Sequence, residues 1–218
     1  SAGMMPRDWM VSPLGKVLKD VGGQLQTGPF GSQLHACEYQ SNGVPVIMPQ
    51  NIEDGRVELI GIARVTEGKA TSLARHRVNP GDMVFARRGD LARVAAVSER
   101  EKGWLCGTGC FLLRAPPDKI NCRWLAMVYR HTHIQSQIAG RTVGSTMPSL
   151  NNGIMESLEI SWPQRWEQDL IVARLDAMDS SIHSESERCE RLRSIKQGLM
   201  QDLLTGRVRV TNLQEIAA

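Results

Sequence analysis

Asp54 and Glu67, with Lys69 close behind, are residues whose types suit hydrolysis: two carboxylates can hold a divalent ion while an ammonium supports an attacking water. Their spacing is permissive and chance matches are common, so a metal-dependent nuclease is an alternative reading only. Cys106 and Cys110 with His131 and His133 carry zinc-ligand chemistry. The histidines are separated by one residue on a predicted helix. Five cysteines in all, without a tight repeated spacing, also argue against a disulfide framework, so reduced, buried thiols are expected.

Arg87-Arg88-Gly89-Asp90 suits a different chemistry. Forked donors at a strand end, followed by glycine, would project from a tight loop toward base edges or phosphates; a solvated turn with internal ion pairs is the plainer alternative. Lys69, Arg75, His76 and Arg77 form a second basic cluster, suited either to phosphates or simply to solubility. Thr27, Gly28, Pro29, Phe30, Gly31 and Ser32 offer backbone N–H groups and small hydroxyls, or a plain turn. Arg141, Thr142, Ser145 and Thr146 precede Pro148, where contact with DNA competes with packing at the base of a long helix. Only 5% of the chain is aromatic, so stacking of unpaired bases is not expected as a general mode.

These residues need elements to position them. Ser12-Pro13 ahead of LGKVLKDV predicts a capped short helix, and GGQLQTGPFGS predicts a glycine-rich loop. Strands are expected at Val44–Met48 and Arg56–Ile60 around a turn at Glu53-Asp54-Gly55. The Asn79-Pro80-Gly81-Asp82 turn launches three more, in MVFARRGD, RVAAVS and WLCGTGCFLLR. Residues 122–138 switch to a helical period, GRTVGSTMPSLNNG reads as a loop, and MESLEISWPQ as a strand ending at Pro163.

From 165 to 206 the sequence reads as one helix. An apolar seam runs through Ile171, Leu175, Met178 and Ile182, skips Glu185, resumes at Cys189 and Leu192, then slips to Ile195, Leu199 and Leu203. Residues 167–204 would span roughly 57 Å at ~1.5 Å per residue. A partner helix is the expected cover, a polar seam position such as Glu185 could fix register, and Gly206 signals the end. The fold class is therefore α+β: a β-rich mixed head over residues 1–163, then a helix and tail over 164–218.

The net charge of +3 decides little, but its distribution is informative. Residues 56–114 hold 11 Lys/Arg against 6 Asp/Glu, whereas residues 165–218 hold 8 against 9. A basic head joined to a near-neutral helix suits one end meeting a polyanion and the other meeting protein. No stretch approaches the ~18 to 20 consecutive apolar residues of a membrane span and no leader is evident, so the expected compartment is the cytoplasm.

TGPFGSQL with Tyr39, GVPVIMPQNIEDGRV, VNPGDMVFARRGD, GSTMPSLNNGIMESLEISWP and KQGLMQDLLTGRVRV occur in that order. Together they resemble the specificity subunit of type I DNA restriction-modification systems. The resemblance covers Val11 to about Val210. It implies that the head is a target recognition domain reading double-stranded DNA and that the helix belongs to an antiparallel coiled coil. It also implies methyltransferase subunits that hold S-adenosylmethionine, a restriction/translocase subunit, and no catalysis in this chain. In keeping with that, no Asn-Pro-Pro-Tyr-like motif, Gly-x-x-x-x-Gly-Lys-Ser/Thr loop or Ser, His and Asp grouping is present. The family carries two heads and two helices in one chain; a single copy here implies a half-subunit that dimerises, or a piece of a longer protein. A coiled-coil adaptor whose head binds protein is the further alternative.

Overall fold

The computed structural model describes residues 6–142 and 148–210. Strand β1 (Met10–Pro13) leads into α1 (Leu14–Val21), followed by β2 (Gln24–Thr27), β3 (Val44–Ile47), β4 (Ile52–Glu53), β5 (Arg56–Val57) and β6 (Ala63–Val65). After α2 (Glu67–Ser72) come β7 (Met83–Ala86), β8 (Val94–Ala96), β9 (Leu105–Cys106) and β10 (Cys110–Arg114). Helices α3 (Cys122–Arg130), α4 (Thr132–Thr142) and α5 (Asn152–Glu156), strand β11 (Glu159–Trp162) and helix α6 (Arg165–Leu204) complete the order. The chain divides into two compact units, Ser1–Leu170 and Ile171–Ala218.

The head is built on an antiparallel four-stranded sheet, β2-β10-β7-β8, beside a three-stranded sheet, β6-β3-β9, in which β3 and β9 are parallel. Strands β7 and β10 are apolar at almost every position because both of their faces are covered. Phe111 of β10 stands opposite Phe85 of β7 with ring centroids 5.2 Å apart, and Tyr129 of α3 closes over Phe85 at 5.4 Å. Ile47, Val84, Cys110 and Leu112 pack between the two sheets. Asp82 is buried and receives two hydrogen bonds from Arg114, at 2.9 and 2.7 Å, which ties the start of β7 to the end of β10.

Several expectations need correction. Ser12 does not cap α1: it lies in β1, and Pro13 is the N-cap. Part of the glycine-rich segment is β2, because Leu25 to Thr27 satisfy their backbone groups on β10. The predicted strand from Arg56 ends at Val57, leaving Ile60 88% exposed. Residues 122–138 are two helices, broken where His131 turns extended and its carbonyl accepts from Ile134 and Gln135. Met155 belongs to α5, whose first turn is capped by Asn151 Oδ1 accepting from the Ile154 N–H at 2.8 Å.

Helix α6 is unbroken for 40 residues, about 60 Å at ~1.5 Å per residue. Most of its seam is bare within the chain: Leu175, Met178, Ile182, Leu192, Ile195 and Leu199 are between 43% and 65% exposed. Beyond it the Gly206 N–H donates to the Leu203 carbonyl at 3.3 Å. Among the described residues no helix is long and apolar enough to cross a membrane.

Candidate nucleic-acid interface

Thr27 and Phe85 both stand opposite Phe111, on either side of β10, so β2 and β7 leave the sheet at the same end. Two of the sequence-predicted segments, Thr27–Ser32 and Arg87–Asp90, therefore emerge side by side. Their surroundings explain which side chains are left to meet a ligand.

The Arg87–Asp90 segment is the tip of the β7–β8 connection. Its base is fixed by the Ala86 N–H donating to Arg93 O at 2.9 Å, the Arg87 N–H to Gly109 O at 2.8 Å, and the buried Tyr129 hydroxyl to Leu91 O at 2.8 Å. Arg93 reaches back to Ile52 O at 3.1 Å. At the tip Gly89 takes φ 76, a left-handed conformation costly for a residue with a Cβ. Asp90 accepts from the Ala92 N–H at 3.1 Å and pairs with Arg93 at 3.4 Å, so it stabilises the turn itself.

The two adjacent arginines divide. Arg87 is half-buried, its guanidinium 5.8 Å from the centroid of Phe111 and its Nε donating to Leu150 O at 3.2 Å. Arg88 is exposed, and among the described residues its guanidinium has neither hydrogen bond nor ion pair. Its backbone bridges to Ser149, and the Leu150 N–H donates to Arg87 O at 2.9 Å. The end of the 140–153 segment is thus seated on this hairpin, a connection that sequence spacing alone does not reveal.

Gly28 and Pro29 are buried and are scaffold rather than surface. The Gly28 N–H donates to Cys110 O at 2.8 Å, and a Cβ at this position would lie 2.0 Å from Gly107 O, so only glycine fits. Phe30, 55% exposed, and the exposed Gly31 and Ser32 form the outer part of the loop, held by Gln33 and Leu34 N–H groups on Phe30 O. Sequence reasoning overlooked the Gly107-Thr108-Gly109 turn as a site element. Its Gly107 N–H donates to Ile47 O at 2.9 Å and its Gly109 carbonyl receives Arg87, so it bridges β3 and the hairpin. The glycine break between two apolar strands was its signal.

The second basic cluster lies elsewhere and is largely neutralised. The Arg77 carbonyl accepts from Arg114 at 2.9 Å, and Arg114 is three residues along β10 from Phe111, about 10 Å at ~3.3 Å per residue. Lys69 pairs with Glu38 at 2.7 Å, and Arg77 pairs with Glu67 and donates to Gly103 O at 2.8 Å. His76 is buried, and burial, helped by the Arg75 charge, lowers its pKa to about 4, so it is neutral near pH 7 and offers no charge to a phosphate. Arg75 is exposed, with its Nε 3.0 Å from His76 Nε2.

The hydrolytic set does not converge. Asp54 pairs with Arg130 at 3.1 Å, Glu67 with Arg77 and Lys69 with Glu38, three separate ion pairs. Cys106 and Cys110 are buried, and burial holds both thiols protonated, that of Cys106 with its pKa raised to about 12; His131 and His133 are exposed. Among the described residues no three metal-ligating side chains cluster. Two of the five cysteines, Cys37 and Cys189, are exposed rather than buried. Arg141 donates to Gln137 O within α4 at 3.1 Å and fastens the helix to the chain before β11 through Ser157 O at 3.3 Å, and the Thr142 hydroxyl donates to Ile138 O at 3.0 Å. Ser145 and Thr146 lie outside the described residues.

Comparison with known proteins places this chain in a family. The chain belongs to the type I restriction modification DNA specificity domain family, whose model matches residues 6–194. A Methanocaldococcus jannaschii protein bearing the name of the MjaX type I specificity subunit is 27% identical over 209 residues, 93% of this chain and 47% of that protein. The EcoKI specificity subunit of Escherichia coli is 22% identical over 211 residues, 95% of this chain and 44% of its own. The crystal structure of the HsdS subunit from Thermoanaerobacter tengcongensis shares the fold with TM-score 0.60 at 18% identity, over 92% of this chain and 46% of that one. The chain thus spans about half the length of the relatives it matches.

Proposed function

We propose that this chain is the sequence-reading half of a type I specificity subunit: it binds duplex DNA, catalyses nothing, and directs methyltransferase and restriction/translocase subunits to a two-part target. The observation that carries this reading is the Arg87–Asp90 hairpin. Its base is fixed by the Tyr129 hydroxyl on Leu91 O and by backbone bonds, which hold the backbone at its tip and leave an exposed Arg88 whose guanidinium has no partner among the described residues. A forked donor at such an exposed tip suits the O6 and N7 acceptors of guanine in the major groove, or a phosphate. The braced backbone lowers the part of the ordering cost that falls on the loop.

The mechanism is positional. Arg88 with Phe30, Gly31 and Ser32 supplies contacts to one half-site, and Arg87 holds the hairpin against Phe111. A second copy supplies the other half-site through the seam of α6. The partner subunit supplies S-adenosylmethionine and methylates adenine once the base has left the stack. Selection from a random duplex pool, with the chain co-expressed with its methyltransferase subunits, tests the reading. The expected product is an inverted, interrupted motif, because two-fold symmetric protein demands matching half-sites. A pool with no enriched motif overturns it, as does affinity for duplex that is insensitive to salt.

A further inference from the structure

Asn51, in the short 3-10 turn Pro49–Asn51 that follows β3, is polar yet fully buried. Its Oδ1 accepts from the Met48 N–H at 3.1 Å, its Nδ2 donates to Ile60 O at 3.3 Å, and its carbonyl accepts from the Glu58 N–H at 2.7 Å. A buried amide so bonded costs little and fixes the backbone on both sides of it. On one side stands Gln50, which is exposed and whose amide has no hydrogen-bond partner among the described residues. On the other is the turn 59–62, closed by the Ile62 N–H donating to Leu59 O at 3.1 Å. Leu59 is 47% exposed and Ile60 88%, the barest large apolar side chain among the described residues.

Both stretches lie at the end of the head where β2 and β7 leave their sheet. Val46 of β3 stands opposite Ala63 of β6 and beside Leu105 of β9, and the Gly107 N–H donates to Ile47 O, so the turns at 49–51, 59–62 and 107–109 share that end. The link to the cationic hairpin is direct. Arg93 at the hairpin's base donates to Pro49 O at 3.5 Å and to Ile52 O at 3.1 Å, the carbonyls that flank Gln50 and Asn51, and a Cβ on Gly109 would lie 3.4 Å from Pro49. Leu59 and Ile60 offer nothing to a phosphate, and the exposed Glu58 beside them repels one. In the major groove the apolar feature open to an aliphatic side chain is the thymine 5-methyl group. It is displayed on the same base pair as the adenine N6 and N7, which match a side-chain amide.

We propose that Gln50 and the Leu59–Ile60 tip form one reading element for an A·T pair. The Gln50 Nε2 donates to adenine N7 and its Oε1 accepts from adenine N6, while Ile60 covers the thymine methyl; Asn51 is the positioning residue that holds the two at a fixed separation. The inference rests on the functional reading above for the presence of duplex at this end of the head; the base pair follows from the side chains. Its chemistry is distinct from that of Arg88, because a fork of two donors suits guanine whereas an amide with one donor and one acceptor suits adenine.

The test takes the chain in complex with its methyltransferase subunits and the half-site obtained by selection from a random duplex pool. Each thymine of that half-site is replaced in turn by deoxyuridine, which lacks only the 5-methyl group, and each adenine by 7-deazaadenine, which lacks the N7 acceptor. At one A·T pair deoxyuridine should weaken binding of the parent about fourfold, the worth of one buried methyl, and 7-deazaadenine should weaken it severalfold. Ile60→Ala should bind the thymine and deoxyuridine duplexes alike, and Gln50→Ala the adenine and 7-deazaadenine duplexes alike, each keeping the other sensitivity. Both side chains are exposed, so the melting temperature of either variant should match the parent's. A selected half-site without an A·T pair, a parent indifferent to both analogues, or either variant keeping the parent's discrimination overturns the assignment and leaves the functional reading standing. A pool with no enriched motif overturns both. Loss of the methyltransferase subunits from Ile60→Ala, with thymine and deoxyuridine still distinguished, overturns the assignment in favour of a protein contact.

Discussion

At the scale of single residues, neighbouring arginines of one type do different work. Arg87→Ala deletes a hydrogen bond to the Leu150 carbonyl and a cation over Phe111, a loss of about 1–2 kcal/mol of stability, readable in urea unfolding. Arg88→Ala should leave that unfolding curve within about 0.5 kcal/mol of the parent yet weaken DNA binding in a mobility shift. Unchanged binding would remove Arg88 from the interface. His76 gives a pH signature. Unfolded, it takes a proton near pH 6.5; folded, only near 4. Between these values the unfolded chain holds more protons, so stability falls as pH drops through that window, by up to roughly 3 kcal/mol, and levels off above it. The melting temperature of His76→Gln should therefore decline less between pH 7 and pH 5 than the parent's; an equal decline would acquit His76. The basic residues at 69–77 were visible as charge, but their partners Glu38, Glu67 and Gly103 are set by tertiary folding, which spacing does not encode.

At the scale of elements, the glycines of the β2 exit loop make a sharp contrast. Gly28→Ala must push the Gly107 carbonyl aside and should cost several kcal/mol, whereas Gly31 has open space around it and Gly31→Ala should be nearly neutral in thermal unfolding. Equal effects would mean that Gly28 is not wedged on the turn. Strands β3, β7 and β10 were legible because their apolar runs are bounded by turns, and α6 because its apolar seam recurs along the segment despite the skip at Glu185 and the slip at Ile195. Strand β2 was hidden by the glycines on either side of it, since the signal for pairing sits on β10 rather than in the segment. The break at His131 was hidden as well: the period continues across it, and only the packing of Ile134 and Ile138 in the head decides where α4 begins. Of the candidate site, the two loops could be read from the sequence as segments, whereas their emergence side by side at Phe111 could not.

At the scale of the whole molecule, the length of α6 carries the consequences. In the antiparallel pair that the proposed function calls for, the distance between the two Ile171 residues, where the heads hand over to the helices, is set by the length of α6. Removing one heptad, residues 183–189, from each copy keeps the seam in phase and brings them closer by about 10 Å, or roughly three base pairs at ~3.4 Å each. Methylation-sensitive sequencing should show the gap between half-sites shrinking by that amount; an unchanged gap would show that α6 does not set it. The bare seam also has a consequence for supply. Covered by a second copy, as the proposed function has it, the face makes competence a second-order property of abundance: well below the dissociation constant, halving the amount of chain in a cell leaves a quarter of the pairs. Modest changes in expression would then move host DNA between fully and partly modified states without any change in a base contact.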